Sequence, residues 1–60
     1  MSLYILMRTD GAYVARPGLP ASYTPKLQEA RTFATREAAE RERCPGNERV
    51  VSLDQAMRRP

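Results

Sequence analysis

A chain of 60 residues with a net charge of +3 is expected to form a single small domain, residues 1–60, with too little core to enclose a substrate. Hydrophobic residues make up 42% and charged residues 28% of the chain, a composition typical of folded proteins rather than disordered tails. One cysteine, Cys44, and no histidine exclude an internal disulfide and leave too few ligands for a structural zinc site.

The first predicted element is a β-hairpin that turns at Asp10-Gly11. This dipeptide favours a two-residue loop, because both central positions need a positive φ that glycine takes freely and aspartate tolerates. We therefore expect strands near residues 3–8 and 12–16. Residues 17–24 follow as a loop, since their prolines cannot donate to a strand ladder.

The stretch over residues 25–43 has two interpretations. Thr24 as a cap, followed by alanines at helical spacing, would give one long helix. Thr35 is a second capping residue and Thr32-Phe33 is β-prone, which favours separate elements. The preferred interpretation is a turn at 25–28, a short strand at about 30–34 and a helix at about 36–43.

The end of the chain predicts one more strand and a final helical turn. Residues 49–53 have the β-branched content of a strand, and Asp54 can cap a turn that runs through Met57. The expected fold class is α+β, with a small antiparallel sheet, made of the hairpin plus one or two short strands, packed against one helix. No apolar run approaches the length of a membrane span, so we expect a cytoplasmic protein with no membrane partner.

Four short motifs run through most of the chain: "DGAYVARPG", "SYT", "LQEARTFATREAAERE" and "NERVVSL". Together they resemble small uncharacterised proteins of tailed bacteriophages and prophages, which share a DGxYVA hairpin, an SYT segment and an LxxARxFxTRExA stretch. The resemblance covers roughly residues 4–53. It implies a phage or mobile-element origin and a small α+β fold, and it brings no catalytic residues with it.

The side chains available for chemistry argue against an enzyme. General acid–base catalysis at neutral pH relies mostly on histidine, which the chain lacks. Cys44 has no histidine to activate its thiol and follows the predicted helix, where the dipole disfavours a thiolate. The glutamates of residues 37–42 alternate with arginines, as on a solvated helix face. We predict no catalytic site, no metal and no cofactor.

The first predicted strand is apolar on consecutive positions, so both of its faces need a cover. Directly opposed residues of a hairpin share a face, and a two-residue turn places Ile5, Met7, Ala12 and Val14 together. We expect the one helix to cover that face. The other face carries Tyr4, Leu6, Arg8 and Tyr13, residue types enriched at protein interfaces. Either the loop at 17–24 covers it, or another molecule does.

These features suggest a small phage-type protein that acts by stoichiometric protein–protein contact, with a host protein or with a second copy as partner. An inhibitor of a host enzyme or defence complex in the bacterial cytoplasm is the specific hypothesis. Its candidate partner-binding residues are Tyr4, Leu6, Arg8 and Tyr13. The alternative is a basic nucleic-acid-binding module, since the isoelectric point is near 9.6. Its candidate residues are Arg8, Arg16, Arg58 and Arg59.

Overall fold

The structure is a computed structural model, which describes residues 3–44 and 46–58. It contains a four-stranded antiparallel sheet with the strand order β3-β2-β1-β4. The strands are β1 (Tyr4–Arg8), β2 (Tyr13–Val14), β3 (Tyr23–Thr24) and β4 (Glu48–Ser52). The helices are α1 (Arg36–Glu42) and α2 (Leu53–Met57), and Leu27–Glu29 forms a 3₁₀ turn. The α+β fold predicted from the sequence is confirmed.

The hairpin lies where the sequence predicts it, but its register differs by one residue. Arg8 donates its backbone N–H to the Ala12 carbonyl at 2.7 Å, so the loop has three residues rather than two. Gly11, at φ 95°, supplies the positive φ that a three-residue loop needs at its last position. Met7 therefore lies opposite Tyr13, and the predicted pairing of Arg8 with Tyr13 is wrong. A shift of one residue moves Tyr13 to the opposite face of the sheet.

Residues 25–43 form separate elements, as the preferred interpretation predicts. The 3₁₀ turn, Leu27–Glu29, overlaps the predicted turn at 25–28 and ends one residue beyond it. Thr35 caps α1 by accepting the Ala38 N–H at 3.1 Å. The single long helix is wrong. The helix ends one residue before the expected end at residue 43, at Glu42.

The predicted strand at 30–34 is reduced to two isolated bridges. Ala30 pairs antiparallel with Ala15, and Phe33 pairs antiparallel with Tyr4. Since β1 and β2 are themselves antiparallel, a segment antiparallel to both must change direction between residues 30 and 33. This change of direction prevents a continuous strand. The segment fills the gap where β2 diverges from β1.

Two further predictions at the sheet edges are corrected. The loop at 17–24 ends in β3, whose residues Tyr23 and Thr24 pair with β2. The helical turn at the end of the chain is capped by Ser52 rather than Asp54, because Ser52 Oγ accepts the Gln55 N–H at 3.1 Å. Helix α2 therefore begins at the last residue of the predicted strand, Leu53.

Each face of β1 is covered by a different part of the same chain. On one face, Leu6 packs with Phe33 and with Ala39 of α1. On the other, Ile5 packs with Ala30 and with Ala56 of α2. We call these the α1 face and the α2 face. The prediction that the principal helix covers the Ile5 face is wrong, because α1 packs on Leu6. The consecutive apolar residues of β1 are explained by these two covers.

Candidate functional site

The four residues predicted to bind a partner do not form one surface. Leu6 is 1% exposed beneath α1. Tyr4 is half-buried on the same face, with the Arg36 guanidinium 5.6 Å from its ring centre. Tyr13 lies on the α2 face, because its register partner there is Met7. The predicted common face of Tyr4, Leu6, Arg8 and Tyr13 is therefore wrong, while a binding role for the residues that reach solvent stays a prediction.

Arg8 belongs to a polar cluster on the α1 face near the hairpin turn. Its guanidinium lies 4.4 Å from the ring centre of Tyr23 and 3.8 Å from the Asp10 carboxylate. Tyr23 donates its hydroxyl proton to Glu48 Oε2 at 2.7 Å, and Cys44 donates its backbone N–H to Glu48 Oε1 at 2.9 Å. The hydrogen bond to Glu48, with some desolvation, raises the pKa of Tyr23 above its ordinary value.

This cluster is better suited to holding the fold together than to binding a ligand. Glu48 is 7% exposed, and each of its carboxylate oxygens already accepts a hydrogen bond from the chain. Arg8 is shared between a ring and a carboxylate. The groups that could meet a ligand are thus committed to one another.

The residues predicted to bind nucleic acid are dispersed. Arg8 is the last residue of β1, beside the hairpin turn, whereas Arg16 lies beyond the end of β2 and donates its backbone N–H to the Glu29 carbonyl at 2.9 Å. Arg58 pairs with Asp54 at 3.2 Å. Arg59 lies outside the described residues. The nucleic-acid hypothesis stays a prediction.

An open apolar groove lies on the α2 face. It runs between the 3₁₀ turn and α2, and its lining residues are Leu27, Gln28, Ala30, Thr32, Leu53 and Met57. Met57 is 65% exposed, an unusual state for a large apolar side chain. We call this feature the α2 groove.

One wall of the α2 groove is fixed by hydrogen bonds around Thr24. Thr24 Oγ1 donates to Glu29 Oε1 at 2.8 Å and accepts the Lys26 N–H at 3.1 Å. Thr24 is itself buried on β3. These bonds hold the 3₁₀ turn against the sheet, and they position Leu27 at the rim of the groove.

The other wall is α2, which follows β4 without a loop. Leu53 donates its N–H to the Leu3 carbonyl at 2.7 Å, so the pairing of β4 with β1 continues to the first residue of the helix. Leu53 and Met57 are four residues apart and therefore share a helix face. Ala56 packs into the core, which leaves the Leu53–Met57 face toward the groove.

The sequence interpretation did not identify the α2 groove. The sequence predicts Leu27 in a turn, Leu53 in a strand and Met57 in a terminal turn. The available signal was the spacing of Leu53 and Met57, which places two large apolar residues on one face of a very short helix. This spacing indicates a groove only when β4 and the 3₁₀ turn are known to lie beside α2.

Other classes of site receive no support in the described part of the chain. Across residues 3–44 and 46–58, no group of three or more histidine, cysteine or acidic side chains is arranged to hold a metal ion. No helix there combines the length and apolarity needed to cross a membrane. No known protein family, curated protein or solved structure matches the chain. Its class therefore follows from its own fold: a small α+β protein with an open apolar groove.

Proposed function

We propose that this protein acts by stoichiometric contact with a host protein, and that the α2 groove is the contact surface. The observation that carries the proposal is the exposure of Met57 at the rim of a groove lined by Leu27, Ala30 and Leu53. Apolar surface that stays exposed in a folded monomer typically marks an interaction site. Methionine is well suited to such a site, because its flexible side chain adapts to the partner.

The inventory of side chains favours binding over catalysis. The chain has no histidine, and the exposed Cys44 accepts a hydrogen bond at its sulfur from Asn47 Nδ2 at 3.9 Å. A cysteine nucleophile needs a neighbouring base or a cationic setting that lowers its pKa. The buried carboxylate, Glu48, is occupied by hydrogen bonds from the chain.

The specific form of the proposal is an inhibitor of a host enzyme or defence complex in the bacterial cytoplasm. The phage origin implied by the sequence motifs supports this form, because a phage protein acts inside its host. A chain of 60 residues is large enough to cover the roughly 800 Å² per partner of a typical specific interface. Contact alone can then block a partner, without any reaction.

The test compares two glutamate variants in affinity capture from a bacterial lysate. Met57→Glu places a charge in the α2 groove at a side chain that is already 65% exposed, so the fold should survive. Ala34→Glu places the same charge at an exposed residue beside α1 and serves as the matched control. We expect the wild type and Ala34→Glu to retain one protein in a fixed molar ratio, and Met57→Glu to lose it.

Salt distinguishes this function from nucleic-acid binding. A complex held by phosphate contacts weakens steeply as the salt concentration rises, whereas one built on leucine and methionine does not. Retention that persists at high salt supports the proposal. Capture of nucleic acid, or of a protein that Met57→Glu still retains, would contradict it.

A further inference from the structure

The two edges of the sheet differ in how well they are protected against another strand. β3 has two residues and lies between Pro20 and Pro25, which cannot donate backbone hydrogen bonds. β4 has five residues and no proline. Unpaired edge strands template the addition of further strands unless something blocks them. β4 is therefore the edge at which strand addition is feasible.

The hydrogen bonds of β1 determine which backbone groups of β4 point outward. Tyr4 and Arg8 direct their N–H groups away from β4, to Phe33 and Ala12. Backbone direction alternates along a strand, so Ile5 and Met7 are the residues whose backbone faces β4. Their partners there are Val51 and Arg49. The backbone groups of the intervening residues, Glu48, Val50 and Ser52, point to the outer edge.

Within residues 3–44 and 46–58, the chain itself caps one end of this outer edge. The Glu48 N–H donates to the Cys44 carbonyl at 3.1 Å, and the Glu48 carbonyl accepts from the Arg43 guanidinium at 3.1 Å. Within the described residues, the register turns the N–H and the carbonyl of Val50 and the N–H of Ser52 away from β1, and no bond from outside the sheet reaches them. Two N–H donors and one carbonyl acceptor thus remain along the edge. Their spacing matches that of the hydrogen-bonding groups of an extended strand.

A cleft beside the same edge determines which side chain an added strand should carry there. It is lined by Met7, Arg49, Val50, Val51 and Gln55. Arg49 is exposed there, and within the described residues its guanidinium contacts the Met7 sulfur at 3.8 Å and lies within 4.0 Å of no carboxylate. An acidic side chain arriving with an added strand would meet Arg49.

We propose that the outer edge of β4 binds an extended segment of a partner protein, which adds a fifth strand to the sheet. The segment alternates in character, with an apolar residue beside Val50 on the α1 face and an acidic residue beside Arg49 on the α2 face. Alternation follows because successive side chains of a strand point to opposite faces. This surface is separate from the α2 groove and stands independently of the function proposed for that groove.

A second copy of the chain fits this edge less well. Antiparallel pairing of two β4 strands about Val50 would place Val51 of the other copy opposite Arg49, which leaves the guanidinium without a carboxylate. The acid of β4, Glu48, is 7% exposed and bonded to Tyr23. The turn that carries Cys44 also occupies the edge that the second copy would need at Glu48.

The test uses two synthetic heptapeptides, one alternating valine with glutamate and one alternating valine with lysine. Amide hydrogen exchange of the full chain is followed by NMR at increasing peptide concentration. We expect the glutamate peptide to slow exchange of the Val50 and Ser52 amides, and to bind about tenfold or more tightly than the lysine peptide. Arg49→Glu should invert that preference.

A proline variant separates strand addition from simple charge attraction. Val50→Pro removes an outward N–H and keeps the bonds from β4 to β1, because edge positions whose N–H faces solvent tolerate proline. We expect this variant to lose glutamate-peptide binding while its other amides stay protected. If Val50→Pro unfolds instead, the peptide preference of Arg49→Glu still tests the proposal. Equal binding of both peptides, or Val50 protection that grows with protein concentration before any peptide is added, would overturn the proposal.

Discussion

The phenol of Tyr23 on β3 donates a 2.7 Å hydrogen bond to the Glu48 carboxylate on β4, so side chains join the two edge strands of the sheet. The bond passes over β2 and β1, and the Arg8 guanidinium stacks on the Tyr23 ring along the way. Strands that are not neighbours in the sheet are thereby held together across one face.

Removing the Glu48 carboxylate should destabilise the fold. Glu48 is 7% exposed, and its carboxylate accepts from the Tyr23 hydroxyl and from the Cys44 N–H. Glu48→Ala leaves both of these donors without their acceptor. We expect the free energy of unfolding to fall by about 2–3 kcal/mol, measured by urea denaturation. Cys44→Ser is the matched control, because it keeps the backbone N–H and should change the free energy by less than about 0.5 kcal/mol. Equal losses in both variants would show that the carboxylate is not the anchor.

The same hydrogen bond predicts a loss of stability at alkaline pH. The bond to Glu48 raises the pKa of Tyr23 above its ordinary value of 10.0, so the folded chain keeps the phenol proton at a pH where the unfolded chain has released it. The unfolded state then binds fewer protons, and stability falls as pH rises from about 10 toward the folded pKa. Tyr23→Phe should lack this component of the loss. Urea denaturation of the wild type and of Tyr23→Phe, below and above pH 10, measures this loss. The same fall in the free energy of unfolding for both proteins would contradict the role of Tyr23.

Helix α1 should depend on its capping threonine. Thr35→Ala removes the side-chain acceptor of the Ala38 N–H and should cost about 1 kcal/mol in the free energy of unfolding. Thr32→Ala is the control, because Thr32 is exposed and lies outside every helix and strand. Thermal and urea denaturation compare the two. A control that loses as much stability as Thr35→Ala would argue against a specific cap.

The parts of the fold that the sequence predicts well are those with strong local signals. Thr35 marks the start of α1, and the β-branched residues of β4 mark a strand. The predicted hairpin register is wrong, because Asp10-Gly11 suits a two-residue loop as well as the three-residue loop that forms. A difference of one residue then moved Tyr13 to the α2 face.

The candidate site depends on long-range placement, which local signals do not carry. Residues 30–33 bridge to both β1 and β2, a geometry that no β-propensity encodes. The α2 groove exists because the 3₁₀ turn and α2 meet over the Ile5 side of the sheet. Leu27 and Met57 are 30 positions apart in the chain, so their proximity could not be predicted from spacing.

Site-directed photo-crosslinking tests most directly whether the α2 groove contacts a partner. A benzophenone side chain replaces Met57 in one variant and Ala34 in the other, and each is irradiated in a bacterial lysate. The account predicts that position 57, which is 65% exposed in the groove, links to one protein, and that position 34 does not. Equal labelling from both positions, or labelling from position 34 alone, would contradict it.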